Sequence, residues 1–296
     1  MERLHVITVM QEKCLNKIQI LDKECFNRDK LRSIDNLKSL LENNQNGCFT
    51  ISENRKILGY IFTRVLGNVG YIGPLGVNSE FRNKGYGKLL IKKGIDALIN
   101  TGCKYIGLEV LPELGNNIGL YLKERYIPAF STITYKKIIP YKPINDCSVI
   151  NGKNIDLNSI EEFNYNFKVE NDDYSLLQDI ILAISQTDSN IYFYKQNTRI
   201  IGFLCYSPLI NPFVWGAFLR NSCEKSIFSA LFSRLENDNN GKELRIRINS
   251  RYRKQLEVID SLFIVERSTL RMMKKGFEGK FMLVDESGFV ARSWIS

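Results

Sequence analysis

The stretch Arg82-Asn83-Lys84-Gly85-Tyr86-Gly87-Lys88 combines two glycines with three basic side chains. It follows an apolar, strand-like run that ends at Val77, and it precedes a segment, residues 89–99, whose apolar side chains recur at helical spacing. A strand-to-helix turn leaves several N–H groups of the helix unpaired, and glycines let an anion approach them closely. Since the helix dipole also favours negative charge there, the stretch predicts a phosphate-binding loop.

The segments on either side of this loop alternate between helical and strand patterns. In chain order they predict a helix at Gln11–Cys25, a helix at Arg28–Glu42, a hairpin at 48–62, a strand at Tyr71–Val77, a strand at Lys104–Val110 and a short helix at Asn116–Glu124. Gly102 is a plausible stop for the helix that follows the loop. This order indicates an α/β fold (α+β, with a mixed sheet) that is built on one central sheet.

The hairpin occurs twice in the chain. Residues 56–62 read Lys-Ile-Leu-Gly-Tyr-Ile-Phe, and residues 199–205, which lie 143 positions further on, read Arg-Ile-Ile-Gly-Phe-Leu-Cys. At the same spacing, Gly73 falls on Gly216. Agreement over two strands and a loop predicts an internal repeat.

The repeat and the chain length together predict two tandem domains, residues 1–140 and 141–296, each with a mostly antiparallel sheet flanked by helices. Pro140, Pro143 and Asn145 suggest the linker. Residues 1–140 carry 21 Lys and Arg against 13 Asp and Glu, whereas the rest of the chain is nearly balanced. The excess favours an anionic ligand in the first domain, either a phosphorylated cofactor or nucleic acid.

The composition excludes several other classes. The apolar runs are too short to cross a bilayer, and the N-terminus lacks the pattern of a secretory signal. Seven cysteines stand singly beside one histidine, which argues against a zinc site and against Ser-His or Cys-His catalysis. Dispersed thiols fit a reducing compartment, so we expect a cytoplasmic protein with no membrane partner.

With the loop, the strand and the short helix taken together, the first domain resembles the GNAT N-acetyltransferases. Arg82–Gly87 fits the R-x-x-G-x-G loop of that family, Pro74–Val77 resembles its fourth strand, and Asn117–Lys123 resembles its helix that carries an asparagine and ends in a tyrosine. The resemblance implies acetyl-CoA as the acyl donor, an amine as the acceptor and no metal. It assigns the coenzyme to the residues Leu75, Gly76, Val77, Arg82, Asn83, Lys84, Gly85, Tyr86, Gly87, Lys88 and Asn117. The same resemblance makes Tyr121 the general acid that protonates the departing thiolate.

The strand Tyr71–Val77 differs from many members of that family because it has no carboxylate. A base must still take a proton from the ammonium form of the acceptor. Glu109 is the candidate, since it shares a strand face with Tyr105 and Gly107. A solvated carboxylate at this position and a water chain in place of a base are the alternatives. Cys25 is interpreted as a buried thiol rather than a nucleophile.

The second domain lacks both glycines of the loop. At the spacing of 143, Arg82 and Gly85 fall on Lys225 and Phe228, and Glu224 adds a negative charge that would repel phosphate. We therefore expect a degenerate copy that binds no coenzyme. It would pack on the first domain and contribute a wall of the acceptor pocket, with Trp215 and Tyr252 as candidates.

These observations predict an acetyl-CoA-dependent N-acyltransferase that acts by direct attack of the amine. Three alternatives remain: a non-catalytic acyl-CoA-binding regulatory module, a nucleic-acid-binding protein and a tandem aminoacyl-transferase acting on peptidoglycan precursors. The basic residues Arg245, Arg247 and Arg251 prompt the second of these, but they also fit a solvated strand face, which we prefer. We therefore expect no nucleic-acid partner.

Overall fold

The computed structural model describes residues 5–137, 146–171, 174–207, 211–239, 244–279 and 289–291. We call the residues up to 137 the first half and those from 146 onward the second half. The elements of the first half are β1 (Val6–Val9), α1 (Leu15–Phe26), α2 (Ile34–Asn43), β2 (Phe49–Glu53), β3 (Lys56–Leu66), β4 (Val69–Val77), α3 (Tyr86–Asn100), β5 (Tyr105–Val110), α4 (Gly115–Lys123) and β6 (Tyr126–Lys137).

The second half repeats this order of helices and strands. Its elements are β7 (Val149–Asn151), α5 (Leu157–Glu170), α6 (Leu177–Ser185), β8 (Asn190–Gln196), β9 (Arg199–Ser207), β10 (Asn211–Phe218), α7 (Lys225–Asp238), β11 (Arg245–Asn249), α8 (Arg253–Asp260) and β12 (Phe263–Lys274). A further strand, β13 (Phe289–Ala291), follows near the C-terminus. Among the described helices, none is long and apolar enough to cross a membrane.

Local sequence accounts for the boundaries of these elements. Helix α1 buries its apolar stripe of Leu15, Ile18 and Leu21, and the hydroxyl of Ser33 caps α2 by accepting the N–H of Asn36. Helix α3 ends beside Gly102, whose φ of 82° is favourable only for glycine, so the predicted stop is confirmed. Mixed strands and flanking helices confirm the predicted fold class.

All described strands join one mixed sheet, in the order β1-β2-β3-β4-β5-β12-β6-β11-β10-β9-β8-β7, with β13 attached to β10. The two halves therefore exchange a strand: β12 of the second half pairs with β5, while β6 of the first half pairs with β11. The exchanged strands also pair with each other, and Thr132 lies opposite Thr269. The ion pair between Arg64 of β3 and Asp179 of α6 adds a contact between the halves (3.5 Å).

The strand exchange relates positions in one half to positions in the other. Arg271 lies opposite Glu109 on β5, and Thr134 lies opposite Arg247 on β11. Ser131 pairs with Leu270, and Ile133 pairs with Ser268. The pairing of β6 with β12 is therefore symmetric about the Thr132–Thr269 pair, so that interchanging the two strands leaves it unchanged. Under this symmetry, Arg247 of the second half corresponds to Glu109 of the first half.

The spacing of 143 residues holds in the hairpin but fails beyond it. Asn54 and Asn197 both turn the chain with positive φ, in agreement with that spacing. In the next strand, however, Gly59 pairs with Val77 and Gly202 pairs with Phe218, so the spacing falls to 141. The structural counterpart of Gly216 is Leu75 rather than Gly73, because the chain from Gly59 to its partner Val77 is two residues longer than the chain from Gly202 to its partner Phe218.

The predicted linker residues Pro140, Pro143 and Asn145 lie outside the described residues. The division into domains at residue 140 stays a prediction. The described strands form one continuous sheet, so two domains divided at that point would share it.

Candidate functional site

Strands β4 and β5 separate part-way along their length. Their parallel pairing covers Val69 to Tyr71 on β4 and Tyr105 to Gly107 on β5, and then it ends, although β4 continues to Val77. This separation opens a wedge whose β4 edge is made by Leu75, Gly76 and Val77.

The hydrogen bonds of β4 show which backbone groups face the wedge. The N–H of Asn78 donates to the carbonyl of Leu58 (2.8 Å), so Asn78 and Gly76 direct their polar groups toward β3. Because neighbouring residues of a strand alternate in direction, Leu75 and Val77 direct theirs into the wedge. Position 76 has no room for a side chain, because a Cβ on Gly76 would lie 2.6 Å from Cε1 of Tyr60.

The glycine-rich loop lies at the end of this edge. Gly85 is the N-cap of α3 with φ of 83°, and it offers no side chain to satisfy the first N–H groups of the helix. A Cβ on Gly85 would meet nothing within 4 Å, so the space beside this N-cap is open. Gly87 lies in the first turn, beside Val77 and Leu120. This geometry suits the binding of an anion.

Basic side chains surround the open space. Arg82, Lys84 and Lys88 are all exposed, and Asn83 adopts a left-handed conformation with φ of 62°. The Nε of Arg82 donates to the carbonyl of Val77 (3.1 Å), which ties the loop to the edge of the wedge. Lys84 lies over the ring of Phe81, with its Nζ 4.7 Å from the centroid. Tyr86 differs from them because its side chain is buried, so it offers the loop only its backbone.

Helix α4 lies beside the loop and carries Asn117 and Tyr121 one turn apart. Lys88 of α3 forms an ion pair with Glu124 at the end of α4 (3.3 Å). Asn117 is exposed, whereas Tyr121 is half-buried and meets the ring of Tyr126 edge-on at 5.9 Å. Burial raises the pKa of Tyr121 to about 12, so its phenol is protonated at neutral pH.

Glu109 lies on β5 in the part that has separated from β4, and its carboxylate is fully buried. The interpretation as a solvated carboxylate is therefore wrong. Arg271 donates to Oε1 through Nε (2.8 Å), Thr132 donates to the same oxygen (2.8 Å), and Thr269 donates to Oε2 (3.2 Å).

Charge decides the ionisation of Glu109. Burial by itself raises the pKa of this carboxyl, but the positive charges of Arg271 and Arg247, with the hydrogen bonds from Arg271 and Thr132, hold it below its usual value. Glu109 is consequently ionised at neutral pH.

Tyr71 joins this group at the point where the wedge opens. Its hydroxyl would lie 3.6 Å from a Cβ on Gly73. Burial raises the pKa of Tyr71 well above its usual value, and nearby Glu109 and Tyr121 raise it further. Tyr71, Glu109 and Tyr121 therefore lie in one electrostatic neighbourhood at the inner end of the wedge.

The sequence did not predict the arginines of this neighbourhood. Arg247 is buried, donates to Thr134 (3.1 Å) and lies 3.9 Å from the ring centroid of Phe213, so the preferred interpretation of this residue as part of a solvated strand face is wrong. Burial lowers the pKa of Arg247 to about 10, opposed by Glu109. Alternation along β11 could have placed Arg247 on one face, but only the strand exchange brings that face to Glu109.

In the second half, the counterparts of the site residues are of other types. The N-cap of α7 is Glu224, in the place of Gly85. Phe228 donates its N–H to Glu224, as Leu89 does to Gly85, so Phe228 is a core residue of the second turn and the prediction that it replaces Gly85 is wrong. Near its end, α8 carries Val258 and Ile259 where α4 carries Tyr121. Trp215 and Tyr252 are both buried in the core of this half.

Cys25 lies beside the wedge. Its thiol donates to the carbonyl of Val77 (3.3 Å). Burial raises the pKa of Cys25, although Arg82 opposes the change. A raised pKa lowers the thiolate fraction, which disfavours Cys25 as a nucleophile.

Solved structures described as acetyltransferases resemble nearly the whole chain in fold. A candidate acetyltransferase from Pyrococcus horikoshii is 16% identical, with a TM-score of 0.69 over 92% of this chain and 91% of its own. A GCN5-related N-acetyltransferase from Sphaerobacter thermophilus is 10% identical, with a TM-score of 0.59 over 93% of this chain and 96% of its own.

A third similar structure is the GCN5-related glucosamine N-acetyltransferase region of a fungal multi-domain β-N-acetylglucosaminidase. It is 12% identical, with a TM-score of 0.66 over 92% of this chain and 38% of that longer chain. None of the curated proteins matches the chain in sequence.

The sequence of the first half agrees with the fold. Residues 15–125 match the model described as the acetyltransferase (GNAT) family. The match extends from α1 through α4, and thus it covers the wedge, the loop and Tyr121. A GNAT acetyltransferase domain is therefore present in the first half.

Proposed function

We propose that the chain is an acetyl-CoA-dependent N-acyltransferase whose single coenzyme site is the wedge of the first half. The observation that carries the proposal is the combination of an open strand edge with an adjoining glycine-capped helix. The inward N–H groups of Leu75 and Val77 suit the amides of a pantetheine arm, and the N-terminus of α3 suits its pyrophosphate.

The coenzyme would extend from the loop toward the inner end of the wedge. Gly85, Tyr86, Gly87 and Lys88 would offer backbone N–H groups to the pyrophosphate, while Arg82 and Lys84 would add positive charge from the exposed side. Asn117 is exposed on α4 next to the loop and would contact the coenzyme from that side. A backbone N–H near Val77 would stabilise the oxyanion that forms when the amine attacks the thioester carbonyl.

Tyr121 would protonate the departing thiolate. Its raised pKa keeps the phenol protonated at neutral pH, which is the form that a general acid needs. Tyr71 lies near it, and its own raised pKa keeps it neutral as well.

Glu109 would take up the proton that the amine loses, either directly or through a water molecule. It is ionised at neutral pH, as a base must be, but its lowered pKa makes it a weak one. The variant Glu109→Gln separates this role from the alternative, a water chain without a dedicated base. A base role predicts that kcat falls by about 10²–10⁴ and that its low-pH limb disappears. A water chain predicts a fall below about tenfold with an unchanged limb.

We propose that the second half binds no coenzyme and supports the acceptor side. The positive charges of Arg271 and Arg247, both from the second half, lower the pKa of Glu109. The negative Glu224 occupies the N-cap of α7, where it disfavours the binding of phosphate. The tandem arrangement is supported by the repeated order of elements.

Calorimetric titration with acetyl-CoA tests the proposal. We expect about one coenzyme per chain, and the variant Gly85→Trp should abolish binding because its side chain fills the space in front of α3. Gly102→Trp is the matched control: Gly102 has φ of 82° at the other end of the same helix, and its Cβ would also meet nothing within 4 Å. Loss of binding in both variants, or no binding to the unaltered chain, would contradict the proposal.

A further inference from the structure

Strand β13 lies in the wedge of the second half. It pairs antiparallel with β10 on the edge opposite to β9: Phe289 faces Phe218, Val290 faces Ala217, and Ala291 faces Gly216. It also contacts β11. The pairing of β10 with β11 is short, with Val214 opposite Ile246, so β13 enters where these two strands separate.

This edge is the counterpart of the β4 edge in the first half. Gly202 pairs with Phe218 as Gly59 pairs with Val77, so Gly216, Ala217 and Phe218 take the places of Leu75, Gly76 and Val77. The direction of the backbone groups agrees as well. Leu219 donates its N–H to the carbonyl of Ile201, as Asn78 does to Leu58. Gly216 and Phe218 therefore direct their polar groups toward β13, as Leu75 and Val77 direct theirs into the open wedge.

We propose that the wedge between β10 and β11 is a strand-binding site, and that the chain's own segment Phe289–Ala291 is the extended polypeptide that binds there. This segment takes the position that, in the wedge of the first half, a ligand with amide groups would occupy. The backbone edge is kept in both halves. At the helix N-terminus, by contrast, Glu224 replaces Gly85, so the second wedge retains the means to pair with a strand and has lost the means to bind phosphate. The inference rests on the pairing of β13 alone and does not depend on coenzyme binding in the first half.

The pairing makes a specific statement about hydrogen bonds. Since Gly216 and Phe218 face β13 with their polar groups, Ala291 and Phe289 exchange N–H and C=O bonds with them, whereas the N–H of Val290 points away. Blocking the N–H of Phe289 or Ala291 should weaken the strand, and blocking that of Val290 should not.

The first experiment uses the chain truncated after Gly288 and a fluorescent synthetic peptide of residues 286–296. We expect a saturable rise in anisotropy with the truncated chain and at least a tenfold weaker response with the full chain, whose site is already occupied. N-methylation of the peptide at Ala291 should weaken binding about tenfold, and N-methylation at Val290 should change it by less than about twofold. Equal binding to both chains, or equal effects of the two methylations, would overturn the proposal.

A second experiment keeps the full chain, in case the truncated one does not fold. Ala217 and Val290 form a pair without mutual hydrogen bonds, in which opposite Cα atoms of an antiparallel pair are closest, so the double variant Ala217→Cys/Val290→Cys should form a disulfide under mild oxidation. The control Ala217→Cys/Phe289→Cys moves one thiol to the other face of β13 and should not form it. Peptide mapping by mass spectrometry identifies the bond. Its absence in the first variant, or its presence in both, would overturn the proposal.

Discussion

Removing Arg271 should destabilise the fold through the carboxylate that it leaves behind. The Arg271 and Glu109 side chains are 4% and 0% exposed, and their Nε and Oε1 atoms lie 2.8 Å apart. The pair joins β5 of the first half to β12 of the second. Breaking a buried pair by removing one partner costs about 3–5 kcal/mol, because the other charge stays buried without compensation.

The surroundings of Glu109 refine this magnitude for Arg271→Met. Arg247 also lowers the pKa of Glu109, and Thr132 and Thr269 keep their hydrogen bonds to it. We therefore expect the low end of the range, about 3 kcal/mol at pH 7. Urea denaturation followed by circular dichroism measures the loss. The double variant Glu109→Gln/Arg271→Met should recover only part of it, because it removes the uncompensated carboxylate but leaves buried Arg247 without the charge of Glu109.

The sign of the pH dependence separates charge from packing. In the unaltered chain the pKa of Glu109 is lowered on folding, so its stabilising contribution is present above the unfolded pKa of about 4.3 and is lost as the pH falls toward the folded pKa. In Arg271→Met, the buried carboxylate takes up a proton readily, so the destabilisation should shrink below about pH 5. A loss under about 1 kcal/mol at pH 7, or a loss that does not change with pH, would refute this reasoning.

Three further variants test other parts of the structure. In an assay of CoA thiol release, Tyr121→Phe should lower kcat by about 10²–10⁴ while the KM for acetyl-CoA stays within about twofold. The control variant Tyr126→Phe, which changes the neighbouring tyrosine, should leave kcat unchanged in that assay. Tyr60→Phe removes the donor to buried Asp22 (2.6 Å) and should cost about 1–3 kcal/mol in urea denaturation; no loss would contradict the assigned hydrogen bond. Arg125 adopts φ of 61°, so Arg125→Gly should raise stability by about 1 kcal/mol, and a lower melting temperature would contradict this.

Local pattern was sufficient to predict the loop. A strand, two glycines and an apolar helix are consecutive in sequence, and the structure places Gly85 at the N-cap of α3 as the pattern predicts. The assignment of Tyr121 and Glu109 to catalysis stays a prediction, since geometry shows where these side chains lie and not what they do.

The neighbours of Glu109 could not be predicted in the same way. Thr132, Thr269 and Arg271 reach it because β6 and β12 exchange places between the halves. Such long-range pairing leaves no trace in local periodicity, since an exchanged strand and an unexchanged one have the same alternation. The failure of the spacing of 143 residues has a related cause: the two hairpins differ in length by two residues, and irregular pairing in both β4 and β10 changes the register without changing the apolar pattern.

The most direct test of one open and one occupied wedge is hydrogen exchange at individual amides, with and without saturating acetyl-CoA. The account predicts that the amides of Leu75 and Val77 exchange quickly in the free chain and become protected when the coenzyme is added. It also predicts that the amides of Gly216 and Phe218 are protected in both states, because β13 already pairs with them. Protection of Leu75 and Val77 without ligand, or no change when acetyl-CoA is added, would contradict the account.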